Sequence, residues 1–109
     1  LFAATIGNQV DSLIRKEQHF DSVKSVIYQA CGAMFIEELV GLLNKKIKSE
    51  YAKNSRLCHP RYSPGYGDVS LNMQKEFFRL LPCTKIGLTL MDTLIMSPEK
   101  SVTAFIGVE

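Results

Sequence analysis

Residues 61–68 of this chain read Arg-Tyr-Ser-Pro-Gly-Tyr-Gly-Asp, and they are the residue types best suited to hold a ligand. Pro64 presets the φ of a first turn corner, and Gly65 supplies the positive φ often needed at the second. A further turn, Gly67-Asp68, follows at once. The spacing predicts a tight, rigid loop, flanked by Tyr62 and Tyr66, that can hold the Arg61 guanidinium and an aromatic ring beside exposed backbone groups. A guanidinium grips a carboxylate in fork geometry, and a tyrosine ring stacks on flat rings while offering a hydroxyl. Together they suit a ligand with a carboxylate at one end and an aromatic base at the other.

Outside this loop the chemistry-bearing residues are sparse. Glu37 and Glu38 interrupt an apolar stretch between Phe35-Ile36 and Leu39-Val40. Only one of two neighbours on a helix can point toward the core side, where it would accept hydrogen bonds from an amine or pair with Arg61. The pattern alone favours both on the wet edge. Asp68 can cap a following helix or close its turn, and Tyr62 and Tyr66 can be packing residues. Arg61 stands apart, because a charge leading a rigid turn commonly has a specific partner. His19 and His59 are far apart with no carboxylate or Cys at metal-ligand spacing, so no metal site is expected. Cys58 and His59, as direct neighbours, would face apart in a strand, which weakens a thiol–imidazole nucleophile. There is no nucleophile elbow, phosphate-binding glycine loop or dinucleotide fingerprint.

The elements that must position the loop follow from periodicity. Leu1 to Ile6 reads as the end of a buried strand, with Gly7-Asn8 as its turn. Asn8 caps a helix through Val10, Leu13 and Ile14 that stops near His19. Asp21 or Ser22 caps a second, long helix from about Val23 to Tyr51, whose apolar residues recur every three or four positions. The small residues Ala30-Cys31-Gly32-Ala33 in its middle allow close approach of another backbone, at a cost of about 1 kcal/mol for the glycine. Arg56 to Asp68 is expected as loop. Ser70 caps a third helix through Gln74, Phe77 and Leu81, closed by Pro82. Lys85 to Met96 is expected as a strand, joined through the turn Ser97-Pro98-Glu99-Lys100 to a second strand, Ser101 to Val108, as a hairpin. Helices followed by hairpin strands make an α+β fold, an antiparallel sheet with a C-terminal hairpin packed against a long helix and shorter helices.

Composition sets the outer bounds. A length of 109 residues fits one domain or part of one; it is 46% apolar, with a net charge of +2 too small to argue for a nucleic-acid partner. The run Lys45-Lys46-Ile47-Lys48 reads as a solvated helix face. Three cysteines, an odd count with no CxxC spacing, argue against a disulfide framework and for a reducing, cytoplasmic setting. No stretch is expected to span a membrane. The chain opens at Leu1 rather than Met, which suggests a piece of a longer protein.

The loop residues Arg61 to Asp68, then Gln74 and Leu80-Leu81, then Ile86-Gly-Leu-Thr-Leu90, then Met96-Ser-Pro-Glu-Lys-Ser-Val102 and Ile106-Gly107, resemble the activation domain of cobalamin-dependent methionine synthase. The likeness is closer to its short form, which includes stand-alone proteins, and it spans nearly the whole chain. Residues 1–109 would then be the C-terminal part of such a domain. The resemblance implies binding of S-adenosylmethionine, and presentation of this methyl donor to oxidised cobalamin carried by a partner protein or domain. A flavodoxin-type electron donor would reduce the cobalt. It implies that Arg61 contacts the ligand, with Tyr66 and Gly65 in the same loop, backbone groups at Tyr62 and Ser63, and Glu37 approaching from the long helix. The chain would supply no catalytic base, only the donor and its orientation. The sequence departs from the long form, which continues its loop as Gly-Tyr-Pro-Ala-Cys-Pro where this chain has Gly-Tyr-Gly-Asp-Val-Ser. Two rival functions are a docking module for a corrinoid protein that does not bind S-adenosylmethionine, and a hydrolase or transferase using Cys58-His59. A structural fragment without activity of its own is the third.

Overall fold

A computed structural model describes residues 1–109 and shows why the chain ends matter to the sheet. Strand β1 (Phe2–Thr5) leads through Gly7 into helix α1 (Gln9–Phe20), which turns at Asp21 into the 31-residue helix α2 (Ser22–Ala52). Strand β2 (Cys58–Tyr62), helix α3 (Met73–Leu80), a short 3-10 turn at Cys83–Ile86, the two-residue strands β3 (Thr89–Leu90) and β4 (Met96–Ser97), and strand β5 (Ser101–Val108) complete the chain. The last strand is central: the sheet order is β1-β5-β2, with both pairings antiparallel. The α+β class expected from the sequence is the class observed.

Local chemistry explains most boundaries. Asp21 is the N-cap of α2, its carboxylate accepting from Lys24 N at 3.2 Å. Asn8 stands at the N-cap of α1, but its side chain makes no capping bond. Ser70 does not start α3; its hydroxyl accepts from Asn72 N inside a preceding turn, and the helix begins at Met73. Pro82 follows α3 at once, as expected.

Two expectations are corrected. The stretch from Arg56 to Asp68 is not all loop, because Cys58–Tyr62 pairs with β5 as an edge strand. Its register shifts between Cys58 and Arg61, so Pro60, which lacks an N–H, sits in the irregular part of the ladder. The run from Lys85 to Met96 is not one strand and does not pair with Ser101–Val108. Both edges of β5 are already taken by β1 and β2. The run folds on itself: Gly87 ends the 3-10 turn at φ 74°, and β3 pairs with β4 around a turn in which Met91 N donates to Ile95 O at 2.9 Å. The C-terminal hairpin exists, but it is β3–β4.

The core is thin. Ala4, Ile36 and Val40 form a buried cluster where α2 crosses the sheet, with Phe2, Ile6 and Val102 against it. Under the other end lie Phe77, Leu88, Cys83 and Ala104, with the Phe77 and Phe105 rings 6.5 Å apart. Gly32 lets α1 and the turn before β5 approach α2: a Cβ there would stand 3.2 Å from Val10 Cγ1 and from the Lys100 stem. Only 16 of 109 residues are buried, and the radius of gyration, 15.5 Å, exceeds the ~13 Å of a compact chain this long. The long axis of 53 Å reflects α2, whose length alone is about 46 Å. A window of α2 is also long and apolar enough to cross a membrane, contrary to the expectation from the sequence, yet one face of the helix packs on α1 and the sheet.

Candidate functional site

Arg61 lies one residue before the end of β2, where its Cα partner across the ladder is Ile106 of β5. The strand stops at Tyr62 because Pro64 and Gly65 turn the chain. Gly65 adopts φ 91°, which a residue with a side chain rarely adopts, and a Cβ there would stand 3.3 Å from Leu71 Cδ1. The loop is stapled by its own backbone: Tyr66 N donates to Ser63 O at 3.2 Å, Val69 N to Tyr66 O at 3.0 Å, and Gly65 N to Val69 O at 2.9 Å. Pro64 is buried and Tyr66 is exposed. The rigid corner expected from the turn residues is present.

This corner forms one wall of a cleft of about 390 Å³. Glu37, Arg61, Tyr62, Ser63 and Tyr66 all line it; Gly65 shapes the loop from outside the lining. Its floor was not anticipated as part of a site: Gln74 from α3, Met96 from β4, and Ser101, Val102 and Thr103 from β5. Thr103 Oγ1 donates to Gln74 Oε1 at 2.7 Å, and both residues are buried. Ser101 Oγ is 2.6 Å from Pro98 O and 2.7 Å from Thr5 Oγ1. A carbonyl can only accept, so the single serine proton goes to Pro98 and Thr5 donates to Ser101. The alternation Ser-x-Thr in a strand was the available signal, since it places both hydroxyls on one face.

Glu37, not Glu38, reaches the cleft. Its Oε2 accepts from Arg61 Nη2 at 2.9 Å. The Arg61 side chain is 30% exposed and that of Glu37 is 62% exposed, so this pair is worth little net stability. The other guanidinium nitrogen differs. Arg61 Nη1 is buried and has no hydrogen-bond partner in the protein. A buried donor left without an acceptor costs about 1–3 kcal/mol. The cleft volume falls at the lower end of small-molecule sites.

The thiols do not compete as a site. All three cysteines are free. Cys58 is buried, while His59 is exposed with Nε2 3.1 Å from Glu109 Oε1, so the two neighbours face apart. Burial pushes the Cys83 thiol above its ordinary value, which is the opposite of activation. No group of three or more His, Cys, Asp or Glu residues is gathered anywhere in the chain. Asp68 is exposed in its turn and outside the cleft lining.

A family model described as vitamin B12 dependent methionine synthase, activation domain, matches residues 1–109, the whole chain. The chain belongs to this family. No curated protein matches it. Membership gives this activation domain a role in reactivating a cobalamin-dependent methionine synthase, and so a cobalamin-binding partner. Within the activation domain, Arg61 to Pro64 and Tyr66 of the loop motif line the cleft, as do Met96, Ser101 and Val102 of the segment that follows β3.

Proposed function

We propose that the cleft binds S-adenosylmethionine and presents its methyl group to cobalamin carried by a partner domain or protein. The observation that carries this reading is the buried, unpartnered Nη1 of Arg61 in a cleft of small-molecule size. A carboxylate accepts from both terminal nitrogens of a guanidinium at once. The amino-acid end of the ligand satisfies Nη1 and takes Nη2 from Glu37. Glu37, freed, is the carboxylate within reach of the ligand ammonium. Tyr62 and Tyr66 offer faces for the purine, and the backbone of Tyr62 and Ser63 offers further polar contacts; Gly65 keeps the loop in the conformation that aims them.

S-adenosylmethionine, when bound, supplies an electrophilic methyl group, and the reduced cobalt of the partner's cobalamin supplies the nucleophile. The chain's own residues orient the donor and hold it against the partner, so no general base is required of them. The electron comes from a flavodoxin-type donor in this reading, and the three free thiols suit a reducing, cytoplasmic compartment.

Calorimetric titration of the protein with S-adenosylmethionine tests the reading. Saturable binding that Arg61→Ala removes, and that Arg61→Lys does not restore, is the expected result, because an ammonium cannot reproduce the fork. Binding left intact by Arg61→Ala overturns the site. The Arg61–Glu37 ion pair favours a second reading, a corrinoid-docking module whose guanidinium is already engaged. In that case the titration gives no heat, while the protein still binds its cobalamin-carrying partner.

A further inference from the structure

Helix α2 is apolar on both sides. Ser25, Gly32, Ile36 and Val40 face α1 and the sheet and are buried. The opposite side carries Val23, Val26, Ile27, Met34, Phe35 and Leu42, all exposed. Phe20, at the end of α1, extends the stripe and is 80% exposed; Met34 and Phe35 are 69% and 68% exposed. A helix apolar all round is normally covered all round. Aromatic rings contribute ~150–250 Å² each, so this stripe presents on the order of 800 Å², well beyond the largest apolar patch of a typical monomer and equal to one partner's share of a standard interface.

The charges on the stripe are placed symmetrically. Lys24 and Glu38 are both exposed and stand equally far in sequence from Cys31, two helical turns each way. A 100° step per residue puts them within the apolar stripe, about 20° to either side of Cys31. An antiparallel copy of the helix, related by a two-fold axis at Cys31, therefore brings Lys24 of each chain to Glu38 of the other. The same operation sets Ile27 against Phe35 and Val23 against Leu39, with Ala30 and Cys31 small enough at the centre for close approach. A bilayer would have to take in Lys24 and Glu38 with the stripe, whereas a second copy neutralises both.

We propose that the outer face of α2 is an isologous interface between two copies of this chain, packed antiparallel about Cys31.

Sedimentation velocity of the full-length protein over a wide concentration range, with a short bismaleimide as a thiol probe, tests this. A concentration-dependent dimer is expected, cross-linked through Cys31 because Cys58 and Cys83 are buried. Cys31→Ser is expected to abolish the cross-link and leave the dimer. Lys24→Glu or Glu38→Lys alone should weaken association roughly tenfold, through two symmetric charge pairs, and the double reversal should restore it. Ile27→Glu with Met34→Glu should give a monomer of unchanged helical circular dichroism. A protein that stays monomeric overturns the proposal, whether hydrogen exchange finds the face open or covered by other residues of the same polypeptide. Co-flotation with neutral lipid vesicles in place of self-association overturns it too. A dimer in which the charge reversals have no effect, or the double reversal gives no rescue, overturns the register.

Discussion

The two sides of α2 handle buried and exposed chemistry in opposite ways. On the sheet side, polar groups are drawn inward: Thr103 bonds Gln74, Ser101 is held between Thr5 and Pro98, and Arg61 leaves Nη1 buried beside its pair with Glu37. On the outer side, Val23, Val26, Ile27 and Met34 face outward with nothing against them. Each side is left with something unsatisfied, a donor on one and apolar area on the other. The donor is local and directional, which suits a small ligand, whereas the apolar area is broad and non-directional, which suits a surface. If both proposals hold, one helix separates ligand recognition from association, and outer-face substitutions should leave ligand affinity unchanged.

Phe77→Ala should have the largest effect. Phe77 is among the largest fully buried side chains and supports Phe105, which in turn packs on Tyr62 of the cleft wall. We expect a loss of about 3–5 kcal/mol in denaturant unfolding, with ligand binding lost as well, while Val26→Ala on the outer face of the isolated chain stays within about 0.5 kcal/mol. Arg61→Ala should separate function from stability within the cleft. Affinity for S-adenosylmethionine should fall about 30-fold or more, roughly 2 kcal/mol, with a melting temperature close to the parent's, because its ion-pair partner Glu37 is 62% exposed and its Nη1 bonds nothing in the protein. Gly65→Ala should cost about 1–2 kcal/mol through its positive φ and the approach of Leu71, and should weaken binding by distorting the loop; thermal melts with and without ligand measure both.

Asp21→Ala, at the cap of α2, should cost about 1 kcal/mol and leave ligand affinity unchanged, since the cap is remote from the cleft. The smallest effect is a pH dependence from Cys83. Its folded thiol titrates above its ordinary value of 9.0, so the folded state holds this proton more tightly than the unfolded state. The contribution is fully present below pH 9 and is lost as pH rises through the folded value. Cys83→Ala should flatten that alkaline decline in urea unfolding measured at successive pH values.

The sequence disclosed local features better than distant pairings. The turn at Pro64-Gly65, the cap at Asp21 and the helical period of α2 are written in adjacent residues, and each appears where those residues place it. The sheet order is not local. Nothing near Lys85–Met96 reveals that both edges of β5 are occupied from afar, so a run of alternating apolar residues looked like a strand and became a turn and a two-residue ladder. Pro60 hid β2 for a related reason, because the irregular register that accommodates it is set by the partner strand. Among site residues, Arg61 and Tyr66 were legible as a motif, whereas Gln74 and Thr103 became part of the cleft only when α3 and β5 met. Glu37 could not be told from Glu38 by pattern, because the choice depends on where the β2 guanidinium arrives.

The placement of β5 governs the order in which the molecule can be assembled. Phe2 opposes Ala104 and Tyr62 opposes Phe105, so β1 and β2 have no mate until β5 has been made. During synthesis the α1–α2 hairpin can form from neighbouring residues, while β1 must wait for β5. Until then this segment is a paired helix with loose strands. Arg61 meets Ser101, Val102 and Thr103 across its cleft only when β5 is in place, so a variant whose β5 cannot pair would keep its helices and lose the binding site.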